Sequence, residues 1–280
     1  MSKPFNAWFS ATRLHAANRA AEYLSDTGAQ RMNTNNTVLV VGSAGRIGQA
    51  VVAELQRRKL PARGFDIART PGVNDCVVGD ITQADNLRQA ASGVGTLIHL
   101  AATPDDDDFP SKLLPNNIVG VYHVMEAARL GGVRRLILAS SGQVNWWQRT
   151  AGKLPVRVED PPSPRYWYAA TKMFLEAIGR GYAETHGISV IVVRLGWCPR
   201  TPEQVREIAA SEEAQDVYLS PGDAGRFFGC AVQAKADIRF AIVYASSKPV
   251  HHVHFDLGPA ARLIGFVPQE TWPEGIESLA

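Results

Sequence analysis

The sequence predicts an α/β protein built on a doubly wound parallel sheet, and two observations carry this. From about residue 37 onward, short apolar runs of strand length alternate with longer stretches of helical periodicity. Alternation of that kind implies parallel strands with helices on both faces. The first apolar run, Val38 to Val41, is followed at once by three glycines and then by a helical pattern through Ile47, Val51, Val52 and Leu55. A strand, a tight turn and a helix N-terminus follow one another in this order in doubly wound sheets.

Taken in order, residues 1–31 precede the alternating pattern. Their apolar positions (Phe5, Trp8, Phe9, Leu14, Ala17, Ala21, Leu24) are loosely helical, and no acid occurs before Glu22. An added helix, a transit-type peptide and upstream sequence ahead of a start at Met32 all fit. The polar stretch 30–36 reads as a linker, so 1–31 is taken as a dispensable N-terminal extension and 32–280 as a single domain. Strands are expected at 38–41, 61–66, 75–78, 96–100, 135–139, 189–193 and 240–244, and helices at 83–91, 113–130, 168–185 and 224–234. Residues from about 196 to 280 are expected to build a small interleaved C-terminal substrate lobe. The acids of 105–108 read as a solvated loop.

Composition narrows the function classes. A chain of 280 residues, 45% hydrophobic, can bury a full core. The formal charge of +2 is spread without basic blocks, so no electrostatic case exists for nucleic acid or an anionic membrane. No apolar run reaches membrane-spanning length. Three cysteines, Cys76, Cys198 and Cys230, lie far apart. They read as buried thiols in a reducing compartment, hence a cytoplasmic location, and not as a disulfide frame or zinc site.

The glycines Gly42, Gly45 and Gly48 are spaced G-x-x-G-x-x-G. Such a turn brings backbone N–H groups and a helix dipole up to a pyrophosphate. The next expected strand ends in Asp66, placed 18 residues beyond Gly48, where an acid reaches the ribose hydroxyls of a dinucleotide. Together they predict dinucleotide binding by a Rossmann-type sheet. Further on, Tyr168 and Lys172 share one face of a helix at i, i+4, and Ser140 and Ser141 follow the strand expected at 135–139. A phenol near pKa 10 is a poor base at neutral pH. A neighbouring ammonium and an oxidised nicotinamide ring are expected to bring it toward the working range. The bland reading of Tyr-x-x-x-Lys is a surface helix pair.

On these residues the chain resembles the extended short-chain dehydrogenases/reductases, over about 37 to the C-terminus. The matches are the glycine run, Asp66, Gly79-Asp80-Ile81, His99-Leu-Ala-Ala102, Asn117-Ile-Val-Gly120, Ala139-Ser-Ser141 followed by Val144, Tyr168/Lys172 and Val193-Arg-Leu-Gly196. The resemblance implies NAD as cofactor. It implies a binding surface of Gly42, Ala44, Gly45, Arg46, Ile47, Gly48, Asp66, Asp80, Ile81, Leu100, Ala101, Ala102 and Asn117, with Tyr168 and Lys172. It further implies that Ser141 orients the reacting oxygen, that Tyr168 is the acid/base and that Lys172 holds the nicotinamide ribose. Relatives of this family pair across the helices at 113–130 and 168–185, which implies a homodimer.

Within the family the chain is most similar to the uronate dehydrogenases, which oxidise the anomeric carbon of hexuronates. Shared features include Val193-Arg-Leu-Gly-Trp-Cys198, an arginine eight residues past that cysteine (Arg206) and Leu263-Ile-Gly-Phe-Val-Pro268. With about 80 residues after Gly196 the chain is short for a nucleotide-sugar epimerase, and Gly142-Gln143 replaces the Asp-Glu pair of dehydratases. The resemblance implies substrate contacts at Thr103, Ser141, Gln143, Trp197 and Arg206, with Arg206 facing a substrate carboxylate. Pro104, Gln143 and Trp197 depart from the uronate pattern, exchanging polar groups for others or for an aromatic face. The expected function is an NAD-dependent oxidation of a hydroxyl on a sugar or sugar acid. Its alternatives are a sugar epimerase or reductase of the same superfamily and a non-catalytic NAD-binding module.

Two further groups of residues are clustered along the chain. His252 and His254 share one side of an extended stretch, yet only Asp256 accompanies them at ligand spacing, and no metal site is expected. Trp146, Trp147, Tyr166 and Trp167 flank the candidate site and read equally as a substrate wall or as packing.

Overall fold

The computed structural model describes residues 36–277 and 279; the N-terminal extension expected at 1–31 lies outside the described residues. Seven parallel strands form one sheet in the order β3-β2-β1-β4-β5-β6-β7. They are β1 (Val38–Val41), β2 (Ala62–Asp66), β3 (Cys76–Val78), β4 (Thr96–His99), β5 (Arg135–Ser141), β6 (Ser189–Leu195) and β7 (Phe240–Ala245). All seven fall on expected runs. β5 and β6 extend two residues further than expected, because Ser140 and Ser141 pair with Arg194 and Leu195.

The pleat sorts side chains by parity. Leu39, Val41, Leu97, Leu136, Leu138, Val190 and Val192 face one way and pack with Leu87, Val124 and Leu175. Val38, Val40, Ile98, Ile137, Ala139, Ile191 and Val193 face the other way, onto Val51, Leu55, Phe227 and Phe228. The first layer is supplied by α2 (Ala84–Ala91), α3 (Gly120–Leu130) and α5 (Trp167–His186); the second by α1 (Arg46–Arg57), α8 (Pro221–Val232) and α9 (Gly258–Ile264). Three short elements fill the connections: α4 (Trp146–Thr150), α6 (Pro202–Ala209) and α7 (Glu212–Asp216).

The stretch expected as one helix over 113–130 is two. Phe109–Val119 is π-helical and contains Pro115, and regular α-helix begins only at Gly120. Proline removes a backbone donor and clashes with the preceding turn, so a wider helix accommodates it. The chain after β6 is likewise shared between two roles. Strand β7 and helices α8 and α9 belong to the sheet layers, whereas α6, α7 and the loop around Phe255 lie at the carboxyl edge. There Val217, Tyr244 and Phe255 form a small core of their own with Val156. Asp216 anchors this loop: its carboxylate accepts the backbone N–H groups of Val250, His251 and His252 at 2.8, 2.6 and 2.9 Å. It also lies 3.5 Å from the His254 ring.

Candidate active site

At the carboxyl ends of β1 and β4 the sheet order reverses direction, the place where doubly wound folds bind ligands. A cavity of about 790 Å3 opens there, within the size range of small-molecule sites. Its first half is framed by the glycine turn. Gly42 sits at φ +91, and a Cβ on it would lie 2.6 Å from the Ala101 nitrogen; a Cβ on Gly48 would lie 2.1 Å from the Gly42 oxygen. Only glycine lets the turn, the helix and β4 close up this tightly. Gly45 differs: the nearest atom to an added Cβ is 3.5 Å away. It is the N-cap of α1 without any side-chain cap, so the helix N-terminus stays open to an anion.

Gly42, Gly45, Arg46, Ile47 and Gly48 line the cavity, as do Asp66, Asp80 and Ile81, and Leu100, Ala101 and Ala102. Asp66 accepts the Ala44 N–H at 2.9 Å, which ties the acid to the turn. Ala44 itself is not a lining residue, and neither is Asn117. Asn117 is buried and pins the loop after β4 instead. Its amide accepts the Thr103 N–H at 2.8 Å and donates to the Thr103 carbonyl and the Thr171 hydroxyl at 3.0 and 3.1 Å. An asparagine whose two N–H donors are both spent on Thr103 and Thr171 in this way positions the wall.

The second half of the cavity carries Ser141, Tyr168 and Lys172, from the end of β5 and the first turns of α5. The Ser141 hydroxyl accepts the Gln143 N–H at 3.2 Å, and its nearness to the phenol favours the phenolate. The Lys172 ammonium donates to the Ala139 carbonyl at 3.0 Å and stands 5.6 Å from the centre of the Tyr168 ring. Burial brings this lysine down to about 8. Burial, with some lowering by Lys172, also holds His99 neutral at about 3.

The expected lowering of the phenol pKa by Lys172 is not found. Burial and the Asp105 carboxylate push Tyr168 up to about 12, against the hydrogen bond from Ser141 and the charge of Arg200. The ammonium lies over the ring face and is held by a carbonyl, so it does not aim at the phenol oxygen.

A buried polar network backs the site. The Ser140 hydroxyl donates to Glu176 at 2.6 Å, one helical turn beyond Lys172. Arg194 grips the same carboxylate with two bonds of 2.9 Å and donates to Asn145 at 2.6 Å. Tandem serines point to opposite sides of a strand: both border the cavity, but the Ser140 hydroxyl is turned to Glu176 on the supporting helix.

Of the residues expected at the substrate, Gln143 and Trp197 line the cavity with Ser141. Thr103 does not, being buried with its hydroxyl engaged by the Asn116 amide at 2.8 Å. Arg206 is not brought to the cavity either. Its side chain is 69% exposed and paired with Glu203 at 2.7 Å, because α6 turns Ile208 into the core and Gln204 and Glu207 to the cavity. Sequence reasoning missed Arg149, Arg200 and Glu213, which do line it, and Asp105 and Asp106, which it left in solvent. Asp105 pairs with Arg200 and Asp106 accepts the Tyr168 N–H at 3.1 Å. Asp108 caps the following turn by accepting the Ser111 N–H at 3.0 Å. Their signal was position, directly after a strand of a doubly wound sheet. The aromatic group divides: Trp146 and Tyr166 line the cavity, while Trp147 and Trp167 face outward, 54% and 64% exposed.

Comparison with known proteins agrees with this architecture. The profile of the NAD dependent epimerase/dehydratase family matches residues 38–197. The chain belongs to that family. The L-arabinose 1-dehydrogenase (NAD(P)(+)) of Haloferax volcanii is 31% identical over 255 residues, covering 83% of this chain and 96% of the relative. The NAD-dependent glucose-6-phosphate dehydrogenase of the same organism is 29% identical over 254 residues, 85% and 94% of the two chains. Among solved structures, a mutated uronate dehydrogenase superimposes with a TM-score of 0.71 at 29% identity, covering 88% of this chain and 87% of that one. Family members use NAD, and the uncapped helix N-terminus, the glycine cradle and Asp66 fit that cofactor.

Proposed function

We propose that the protein is an NAD-dependent dehydrogenase that oxidises a hydroxyl of a sugar or sugar acid, with Ser141, Tyr168 and Lys172 as its catalytic residues. The observation that carries the reading is the convergence of these three side chains on one cavity whose other half is the glycine turn and Asp66. Gly42–Gly48 would hold the dinucleotide, and Asp66 would accept from its ribose hydroxyls. When bound, NAD supplies the hydride acceptor and a positive ring. Tyr168 takes the hydroxyl proton and Ser141 donates to the oxygen that becomes a carbonyl. Because the phenol stands near 12 without cofactor, the ring charge is the chief remaining influence that favours phenolate. Lys172, buried with one carbonyl partner, has further donors for the nicotinamide ribose.

A homodimer through α3 and α5 is part of this reading, supported by Tyr122, Leu130 and Phe174, which are 58%, 53% and 37% exposed on those helices. So are a single folded domain over 32–280 and a cytoplasmic setting, which suits three free thiols. No helix among the described residues is long and apolar enough to cross a membrane. The decisive experiment is a panel of aldoses, uronates and small alcohols assayed for NADH formation. Oxidation of a sugar is expected. NAD binding without NADH from any substrate would reduce the protein to a binding module, and sugar interconversion without net NADH would make it an epimerase.

A further inference from the structure

The end of the cavity beyond Tyr168 is walled by charged groups that already have partners. On one side, Arg200 is paired with Asp105, which also accepts from the Gln204 amide at 3.3 Å. Gln204 in turn accepts the Arg200 N–H at 2.8 Å. On the other side, Arg149 lies 2.7 Å from Glu213 with only 10% of its side chain exposed, its guanidinium 4.8 Å above the centre of Trp146. Asp106 and Glu207 add two more carboxylates to the lining. Among the described residues, four acids thus face two guanidiniums beyond the catalytic lysine. Arg206, which the resemblance to the uronate dehydrogenases would set against a substrate carboxylate, is spent outside on Glu203.

This balance discriminates by charge. A carboxylate or phosphate entering here meets guanidiniums whose charge is already matched by Asp105 and Glu213, and it lies beside four carboxylates that repel it. The Arg200–Asp105 pair is 37% and 47% exposed, so it is at Arg149, 10% exposed beside Glu213, that this repulsion is least screened. A neutral sugar meets no such repulsion. Its hydroxyls donate to the spare lone pairs of the carboxylates and accept from unused guanidinium N–H groups. Its apolar ring face has Trp197 to lie against. Asp105 holds φ +62, a left-handed conformation that Asp tolerates better than most residues, so the loop is bent where the acid meets Arg200.

We infer that the substrate is a neutral aldose, and that sugars carrying a carboxylate or phosphate at the far carbon are rejected by the paired, acid-rich wall of Asp105, Arg200, Arg149 and Glu213. This rests on the dehydrogenase reading and narrows it.

The test uses the full chain with saturating NAD and three sugar series, galactose, glucose and mannose. Each is offered as the free aldose, the hexuronate and the 6-phosphate, which differ only at the far carbon. The neutral member of the preferred series is expected to exceed both anions in kcat/KM by at least about tenfold, the lower end of what one charged hydrogen bond is worth. Added salt should lower KM for the uronate by screening and leave KM for the aldose unchanged. Asp105→Asn and Glu213→Gln should each narrow the aldose-to-uronate ratio several-fold. A uronate or phosphate that equals or beats its aldose overturns the inference while leaving the dehydrogenase intact. A salt-insensitive KM for the uronate overturns the electrostatic cause even where a variant fails to fold. No NADH from any of the nine sugars, with NAD demonstrably bound, overturns the inference for hexoses, and no NADH from the wider panel as well refutes the dehydrogenase reading itself.

Discussion

Arg194→Met is expected to be among the most damaging single changes in the chain. The guanidinium and Glu176 share two bonds of 2.9 Å, with side chains only 2% and 8% exposed. Burial opposes the charge on Arg194, yet the bond and charge of Glu176 outweigh it and hold the guanidinium above its ordinary range. Methionine fills much of the same volume but leaves the carboxylate with the Ser140 hydroxyl alone. Breaking a buried pair from one side costs about 3–5 kcal/mol. For a chain near this size each kcal/mol lowers Tm by roughly 2–4 °C, so the melting temperature should fall by about 6–20 °C. Replacing both partners, Arg194→Met with Glu176→Leu, should recover much of that loss, because the orphaned charge is gone. Differential scanning calorimetry of wild type, single and double variants provides the measurement. A single variant melting within about 3 °C of wild type would refute the reasoning. So would a double variant no more stable than the single one.

Tyr168→Phe should lower turnover by about 10²–10⁴-fold and leave NAD affinity nearly unchanged; near-normal turnover would remove the phenol from the chemistry. Because burial and the Asp105 carboxylate push Tyr168 up to about 12, the phenolate fraction grows as pH rises, and so should kcat/KM. Removing the carboxylate in Asp105→Asn lowers the phenol pKa, so the rising limb should move to lower pH, and an unmoved limb would contradict the assignment. Asp66 lines the nucleotide half of the cavity and would repel a 2′-phosphate, so fluorescence titration should give tighter binding of NAD than of NADP. Asp66→Ala should narrow that gap. Light scattering should return a dimer mass at micromolar protein, and a monomer mass would remove the pairing through α3 and α5.

The central strands were legible because a strand buried on both faces is a continuous apolar run, as in β1; β2, with Arg63, Gly64 and Asp66, carries no such run and was legible from its closing acid. What escaped was set by chemistry that apolar periodicity does not carry. Pro115 turned one apparent helix into a π-helical stretch followed by an α-helix. α4 is five residues long with none of them buried, too short to show a period. Arg200 and Asp105 meet across 95 residues of chain, a contact made by sheet order and not by local pattern. Arg206 shows the opposite failure, where likeness to a family suggested a role that helix phase denies. With Ile208 buried and Gln204 and Glu207 on the cavity, Arg206 on the remaining face has only solvent and Glu203 to meet. That phase was readable from the sequence once a helix from Pro202 was granted.

The tandem serines explain why this site is held by polar contacts at all. Along β5, Leu136 and Leu138 face α5 through apolar contacts, and Ser140 continues the same stripe at the strand's end. There the helix opposite presents Glu176, and Arg194 stands beside Ser140 in register on β6. Apolar packing tolerates small slides between a helix and a sheet, whereas a carboxylate shared by a serine and a bidentate arginine fixes both distance and direction. Lys172 lies one turn from Glu176 and Tyr168 two turns. The bond that fixes Glu176 to Ser140 therefore also fixes the phenol against Ser141, the next residue of the strand. The geometry of the proposed catalytic groups thus depends on the Glu176 side of β5 as much as on the side that carries Ser141.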